Sequence, residues 1–346
     1  MSENVDTTLA PRTTRPPASR ISRLFESKQL GWIALAIALL VPLLIATPYS
    51  LNVMTTAAIF VLLASGLNIV VGYCGLLDLG YIAFMAVGAY TAGIIAKAFE
   101  LPLIFTIPAV IVMTVLAGLI IGAPTLRLRS DYLAIVTLGF GEITRITANN
   151  LSITGGPSGI FDIPGLLKIG DFDLQEPVVF YYVTVLVVAA FVLAAARLGK
   201  SRLGRAWRFV REDEDAAEAM GIHAYKVKLM AYIFGAVWGG FGGILFAAHL
   251  SAVSPQSFVF LQSALVLMAV VLGGMGNMRG VVIGALVISL LPELLRDLST
   301  YRYLVFGLLL VVVMVFRPQG FWPARGYEPE RVGDVSDRTL AKGTVR

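Results

Sequence analysis

One cysteine and two histidines in 346 residues leave little material for redox or metal chemistry. Cys74 has no second thiol with which to close an internal disulfide. It lies in a Gly-rich apolar stretch, where a thiol is an inert packing group. His223 and His249 have no Cys or carboxylate at metal-ligand spacing, so no metal site is expected. A membrane-embedded acyl or glycosyl transferase would want a convergent Ser/His/Asp, Cys/His or metal constellation, and scattered residues of these types do not form one. Charge is also scarce. Only 14% of residues are charged and 57% are hydrophobic, whereas soluble domains carry roughly 25% charged residues. That deficit excludes a surface wetted all round, and lipid must cover most of the chain. A nucleotide site is missing as well: Gly199-Lys200-Ser201 resembles the end of a phosphate-binding loop, but Ala194 stands where the first Gly is required, after an apolar run and not a strand. Neither a cofactor nor catalysis is expected, and any energy source lies on another chain.

What is present is a succession of apolar runs. About 20 apolar residues cross a bilayer, and on that ruler ten spans are expected, at 30–47, 51–71, 82–98, 102–122, 132–148, 177–196, 229–250, 261–276, 280–295 and 301–316. The fold class is therefore an all-α integral membrane protein. Residues 1–29, rich in Pro, Ser, Thr and Arg, read as a disordered, uncleaved cytoplasmic tail, residues 30–323 as the membrane domain, and residues 324–346 as a second cytoplasmic tail. Positive charge gathers on the cytoplasmic side of membrane proteins. With ten spans and the N-terminus inside, the ends outside the spans (1–29 and 317–346) and the regions 123–131, 197–228 and 277–279 hold 22 of the 27 Lys and Arg residues. The net charge of +5 is thus explained by a face on anionic lipid, without nucleic acid.

Two stretches interrupt the apolar pattern with Gly and polar groups: 72–88, GYCGLLDLGYIAFMAVG, and 273–285, GGMGNMRGVVIGA. Backbone of this kind at membrane depth must be buried in protein or line a wet cavity. Gly75, Asp78, Gly80, Tyr81, Gly274 and Asn277 are accordingly candidates for a translocation path, and the similar placement of the two breaks hints at a five-span internal repeat. Glu142 and Arg145 share one face of the fifth span and read either as a mutually neutralising pair or as a substrate contact. Glycines at four-residue spacing, Gly235, Gly239 and Gly243, then Gly276, Gly280 and Gly284, read as close helix packing. Thr154, Gly155 and Gly156 are either a plain turn or a contact for an external protein. Glu293, Arg296 and Asp297 are expected to snorkel at the outer end of the ninth span.

The loop 198–228, LGKSRLGRAWRFVREDEDAAEAMGIHAYKVK, places Arg at every third position from Arg202 to Arg211, then a run of acids, then Gly221 as a helix stop. It reads either as an ordinary solvated loop with clustered charge or as one surface helix over 205–222 with a basic and an acidic half, a shape suited to a partner's groove.

This loop resembles the coupling segment of ABC import permeases, whose pattern is Glu-Ala-Ala, three residues, then Gly; Asp215, Ala216, Ala217 and Gly221 match, with Asp for Glu. SRLGRAWRFVREDEDAAEAMGI, with GLNIVVGYCGLLDLGYIAFMAVGAY (66–90), TLRLRSDYLAIVTLGFGEITRITANN followed by TGGPSG (125–159), GGMGNMRGVVIGA and FRPQGFW (316–322), is similar to the branched-chain amino acid permeases, LivM-type, over roughly residues 50–323. The resemblance implies a permease subunit of an ABC importer in the bacterial cytoplasmic membrane. Its implied partners are a second, homologous permease, two cytoplasmic ATPases docked on the coupling segment (Arg208, Arg211, Glu212, Asp215, Ala216, Ala217 and Gly221), and an external substrate-binding protein. Asp78 stands where that family usually has Ser, Tyr81 where it has His, and Asp131 where a small residue is common, which bears on the substrate. Urea or short amides are the other substrates within the family. Outside it, the composition equally admits a secondary transporter driven by an ion gradient.

Overall fold

The computed structural model describes residues 47–126, 130–169 and 172–295, with isolated positions beyond 300. The expected spans 30–47 and 301–316 fall outside it apart from single residues, as do both tails, Arg296, Asp297 and the Asp131 side chain.

Ten α-helices are described: α1 Pro48–Leu67, α2 Ile82–Phe99, α3 Ile107–Thr125, α4 Ser130–Asn150, α5 Pro177–Lys200, α6 Arg202–Glu212, α7 Glu214–Ala219, α8 Ala224–Leu250, α9 Phe260–Gly273 and α10 Met278–Leu294. Proline opens α1 and α5, where its missing N–H is no loss, and Thr47 Oγ1 caps α1 by accepting from Ser50 N at 3.3 Å. Among the described residues, five helical segments are long and apolar enough to cross a membrane: Pro48–Tyr73, Ile82–Phe99, Leu103–Thr125, Pro177–Lys200 and Ala224–Leu250. α4 has 21 residues but is too polar to join them. The expected span 261–276 contracts to the 14 residues of α9, and 280–295 shifts to the 17 residues of α10. At 1.5 Å per residue, α9 rises only about 21 Å, short of the roughly 30 Å hydrocarbon core. Ten full spans are therefore not found among the described residues.

α8 is the axis of the bundle. α2 and α3 pack along one side of it and α1 along another, while α5 and α10 flank α1, and α9 and α10 form a hairpin. The glycine spacing explains the intimacy. A Cβ on Gly88 would stand 2.5 Å from Gly240 Cα, one on Gly239 2.7 Å from Phe84 Cβ, and one on Gly243 2.5 Å from Ala89 N. In the hairpin, a Cβ on Gly284 would meet Gly273 N at 2.7 Å, and one on Gly273 would meet Gly280 C at 2.5 Å. These are packing positions: without a hydrophobic drive between helices in lipid, close backbone approach supplies the attraction. α3 and α5, by contrast, bury a third or less of their most apolar stretch and carry exposed Val112, Ile120 and Leu186, as lipid-facing helices do.

The helix ends gather at two levels. At one, Tyr225 donates to Ala123 O at 3.2 Å and Trp207 Nε1 to Val227 O at 2.8 Å, beneath α6 and α7. At the other, Lys97 donates to Phe161 O at 2.8 Å, and Tyr49 donates to Glu293. The all-α expectation needs one addition at this second level: β1 (Ile160–Phe161) pairs antiparallel with β4 (Ala252–Val253), and β2 (Lys168–Ile169) with β3 (Phe172–Asp173). The connections that follow α4 and α8 have no helix to satisfy their amides, and short ladders do so instead. Thr154 lies in the turn after α4, buried and donating to Ala148 O at 2.6 Å.

Gly88→Leu should lower the thermal unfolding midpoint of the purified chain in detergent by several degrees, since overpacking costs about 1–3 kcal/mol. Gly139→Ala, where an added Cβ meets nothing within 4 Å, should leave the midpoint unchanged or raise it, because helical Gly gives up ~1 kcal/mol to Ala. Intrinsic tryptophan fluorescence during a thermal ramp checks both.

Candidate functional site

The first helix break begins as a change of helical pitch. α1 runs on as a π-helix over Asn68–Tyr73, a form that recurs at functional sites, and ends at Gly75 with φ +76°. That left-handed turn is free only to Gly. It sends the amides of Gly75 and Leu76 back to Val71 O and Val70 O, both at 3.1 Å. The chain then climbs back into the bundle without helical structure until α2 begins at Ile82. Tyr81 donates to Gly235 O at 2.9 Å, eleven residues into α8, or ~16 Å from the α8 start at the helical rise.

An unwound segment at that depth must borrow partners, and it does so from its neighbours. Leu79 N donates to Thr137 Oγ1 of α4 at 3.0 Å, Gly80 N to Asp78 Oδ1 at 2.9 Å, and Ile82 N to Ser263 Oγ of α9 at 3.0 Å. Gly80 lies against the Thr137 carbonyl so closely that no Cβ would fit, and a Cβ on Gly141 would lie 3.4 Å from Gly80 Cα. Asp78 and Tyr81 are both fully buried. Asp78 Oδ2 finds no partner among the described residues.

The second break is of different construction. It is a four-residue turn, 274–277, between α9 and α10. Gly274 and Gly276 take φ +105° and +85°, and Asn277 caps α10 by accepting from Arg279 N at 3.2 Å. Trp322, the last residue of the closing signature, donates its backbone N–H to Gly273 O at 3.2 Å. The irregular backbone is thus confined to 74–81 and 274–277, much less than the 72–88 and 273–285 expected, and the unlike geometry of the breaks lends the expected repeat no support. Asn68, which sequence reasoning passed over, joins them: its Oδ1 accepts from Gly276 N at 2.9 Å. An amide within an expected apolar span, which also holds Asn52 near its start, was the only available signal, and it does not name a partner.

Glu142 and Arg145 form an ion pair at 2.6 Å on α4, with side chains 40% and 28% exposed. The same helix exposes Tyr132, Ile135, Ile143 and Ile146. Asp78 and Tyr81 are thus sealed in the bundle, whereas the Glu142–Arg145 pair is partly exposed.

The 198–228 loop departs most from expectation. α5 continues to Lys200, α8 starts at Ala224, and the expected single helix over 205–222 is two helices broken at Asp213. Asp213 takes φ −156° and ψ 111° and caps α7, its Oδ1 accepting from Ala216 N at 2.9 Å. The acid that starts α7 is what stops α6. Arg202, Arg205 and Arg208 keep exposed surface, yet three of the four arginines also reach backbone carbonyls. Arg205 donates to Lys200 O at 3.2 Å, Arg208 to Gly199 O and Arg211 to Gly72 O. All three cover carbonyls at helix C-termini, where cations are favoured. Trp207 is fully buried and stacks on Tyr73 at 6.4 Å between ring centroids. Val210, Ala217 and Ala224 form a small core of their own, and Lys228 pairs with Glu214 at 2.5 Å. Glu212, Asp215, Ala216 and Gly221 remain exposed, Ala217 is buried, and Met220, missed in the sequence, is an apolar side chain left 74% exposed at the tip. Gly221, at φ +84°, ends α7 in a conformation that only Gly takes without strain. Cys74 is buried, and no group of three metal-ligating side chains occurs among the described residues.

A bundle of apolar helices with broken, internally satisfied backbone at its centre and a compact helical foot at one end defines a multi-pass transport-type membrane protein. Its family is equally definite. Residues 49–314 match the model of the permease component of branched-chain amino acid transport systems, and the chain belongs to that family. It is 42% identical to the high-affinity branched-chain amino acid transport system permease protein LivM of Escherichia coli, over 83% of this chain and 74% of that protein. It is 23% identical to the LivH permease protein of the same organism, over 78% and 92%, and 25% identical to the ribose import permease protein RbsC of Haemophilus influenzae, over 84% and 93%. No solved structure matches the chain significantly. As a permease component the chain acts in transport, and it is not of an enzyme family.

Asp213→Ala removes the α7 cap, worth ~1 kcal/mol. Amide exchange at Ala216 and its neighbours in 214–219 should speed up about fivefold while α8 and α2 stay protected, as hydrogen-exchange mass spectrometry of the detergent-solubilised chain would read.

Proposed function

We propose that this chain is one of two pore-forming permease subunits of an ABC importer for branched-chain or related amino acids. It lies in the bacterial cytoplasmic membrane with both termini and the α6–α7 foot on the cytoplasmic side. Two ATPase subunits engage the foot, a second, homologous permease completes the pore, and an external binding protein delivers the substrate at the opposite face.

The observation that carries this reading is the foot itself. An exposed tip of Asp215, Ala216, Glu218, Met220 and Gly221 stands on a base clamped to the bundle by Trp207 and three arginines. A rigid lever with one bare apolar residue at its end suits insertion into a partner's groove. A secondary transporter has no use for such a lever. The exposed acids and Met220 supply the docking contact in this reading, with Arg208 and Arg211 bonded to backbone carbonyls to hold the lever. The 42% identity to a protein named for branched-chain amino acids supports that substrate class.

The translocation path falls beside α4. A half-exposed ion pair midway along a membrane helix costs roughly 2.5–3.5 kcal/mol per group against lipid, so the Glu142–Arg145 face of α4 turns toward the second permease and the wet path between the two. Gly75, Asp78, Gly80 and Tyr81 form the moving wall of that path, and Gly274 and Asn277 its counterpart at the second break.

Met220→Arg alters an exposed position at the tip of the foot, so the lone chain should fold as before. Co-purification with the ATPases encoded beside it should fall at least tenfold, and uptake stimulated by the binding protein should fall with it. Undiminished ATPase association, or solute accumulation by the lone chain on a sodium or proton gradient, would remove the ABC assignment.

A further inference from the structure

The foot does not merely rest on the bundle: one side chain grips the place where the first membrane helix breaks. Arg211, on the last turn of α6, donates from Nη1 to Gly72 O, in the π-helix that precedes the unwound segment. Its aliphatic stem lies under Gly75, where an added Cβ would come within 2.7 Å of Arg211 Cγ and 3.3 Å of Arg211 Cβ. Gly75 is the left-handed residue at which the helix ends. Gly72 in turn lies against the second break, for a Cβ there would stand 2.6 Å from Gly276 N, and Gly276 N donates to Asn68 Oδ1 one π-turn back. Arg211, Gly72, Gly75, Asn68 and Gly276 therefore make a single junction of the foot and both helix breaks.

We propose that Arg211 is the transmission residue of this permease: movement imposed on α6 and α7 reaches the unwound segment 74–81 through its bond to Gly72 and, through Asn68, reaches the 274–277 turn at the same time. Resting on the ABC reading above, the proposal says which bond carries the stroke. Three observations support it. α6, α7 and the start of α8 share the Val210–Ala217–Ala224 core and the Lys228–Glu214 pair, so a push on the exposed tip moves α6 as one body. The segment at the receiving end is held by single hydrogen bonds to Thr137, Ser263 and its own Asp78, not by a helical ladder, and so yields first. Breaks joined by Asn68 move together or not at all, as a two-state gate requires.

Arg211 acts through Gly72 and touches no substrate in this scheme, so it is a positioning residue, and its signature is loss of coupling. The complete assembly, with ATPases and binding protein, is reconstituted in liposomes with wild type, Arg211→Met or Arg211→Lys, and ATP hydrolysis and substrate uptake are measured together. Arg211→Met keeps the stem and loses the donors. It should assemble and hydrolyse ATP while substrate imported per ATP falls about tenfold, the effect of one charge-assisted hydrogen bond. Arg211→Lys, with one donor group in place of a fork, should fall between the two. Unchanged import per ATP in an assembled Arg211→Met complex overturns the proposal, whatever its thermal stability. If Arg211→Met does not assemble, import per ATP equal to wild type in Arg211→Lys overturns it instead, and a reduced ratio sustains it. Failure of the wild-type chain to bind ATPases would be failure of the ABC reading, seen before any Arg211 variant is compared.

Discussion

A backbone amide at membrane depth has no water to turn to, and the rest of this structure follows from how that constraint is met between Tyr73 and Ile82. An uninterrupted helix would meet it at no cost. This chain instead unwinds one and satisfies the freed groups singly, with a hydroxyl from α4, a hydroxyl from α9 and the segment's own Asp78. Each partner must then be brought to a fixed place, so α4 and α9 are positioned by the break as much as by packing. Gly80 and Gly141 let α4 close in to supply Thr137. α9 is short, and its early residue Ser263 reaches Ile82.

The same economy explains the foot. Three arginines that look in one dimension like a basic stripe for a partner are each spent on a carbonyl at the end of a helix or at a break. Helix C-termini leave several carbonyls without an intrahelical donor, and here α5 ends and the first break begins side by side. Cations placed there satisfy acceptors and favour the helix dipole together. The exposed surface of the foot is made up of the acids, Ala216, Ala219 and Met220 together with the outer sides of Arg202, Arg205 and Arg208. α8 ties the two regions together: its start belongs to the foot through Ala224 and Lys228, and its middle accepts from Tyr81 at Gly235.

Likeness to both a branched-chain amino acid permease and a ribose import permease fits this division of roles. Much of what holds the breaks and the junction is backbone atoms and glycines, which carry no information about the solute. The residues free to differ without disturbing them are those on exposed faces such as that of α4.

Composition and periodicity alone point to a membrane-spanning helical chain, to helices brought into contact by glycines at four-residue spacing, to interruptions somewhere within 72–88 and 273–285, and to a charged loop at 198–228; the quoted signatures also pointed to the family that the comparison identifies. Those features are local, and local pattern is what a linear sequence records. What only the tertiary structure decides is direction and partnership: that Arg205, Arg208 and Arg211 bond backbone carbonyls, that Asp213 splits one expected helix into two, that α9 is shorter than a span, that Asp78 and Tyr81 are sealed in the bundle while Glu142 and Arg145 are not, and that Asn68 bolts one break to the other. Asn68 and Gly276 stand 208 positions apart, and Arg211 and Gly72 stand 139 apart. Contacts of that range depend on which helices come to lie side by side, which no period of 3.6 residues encodes.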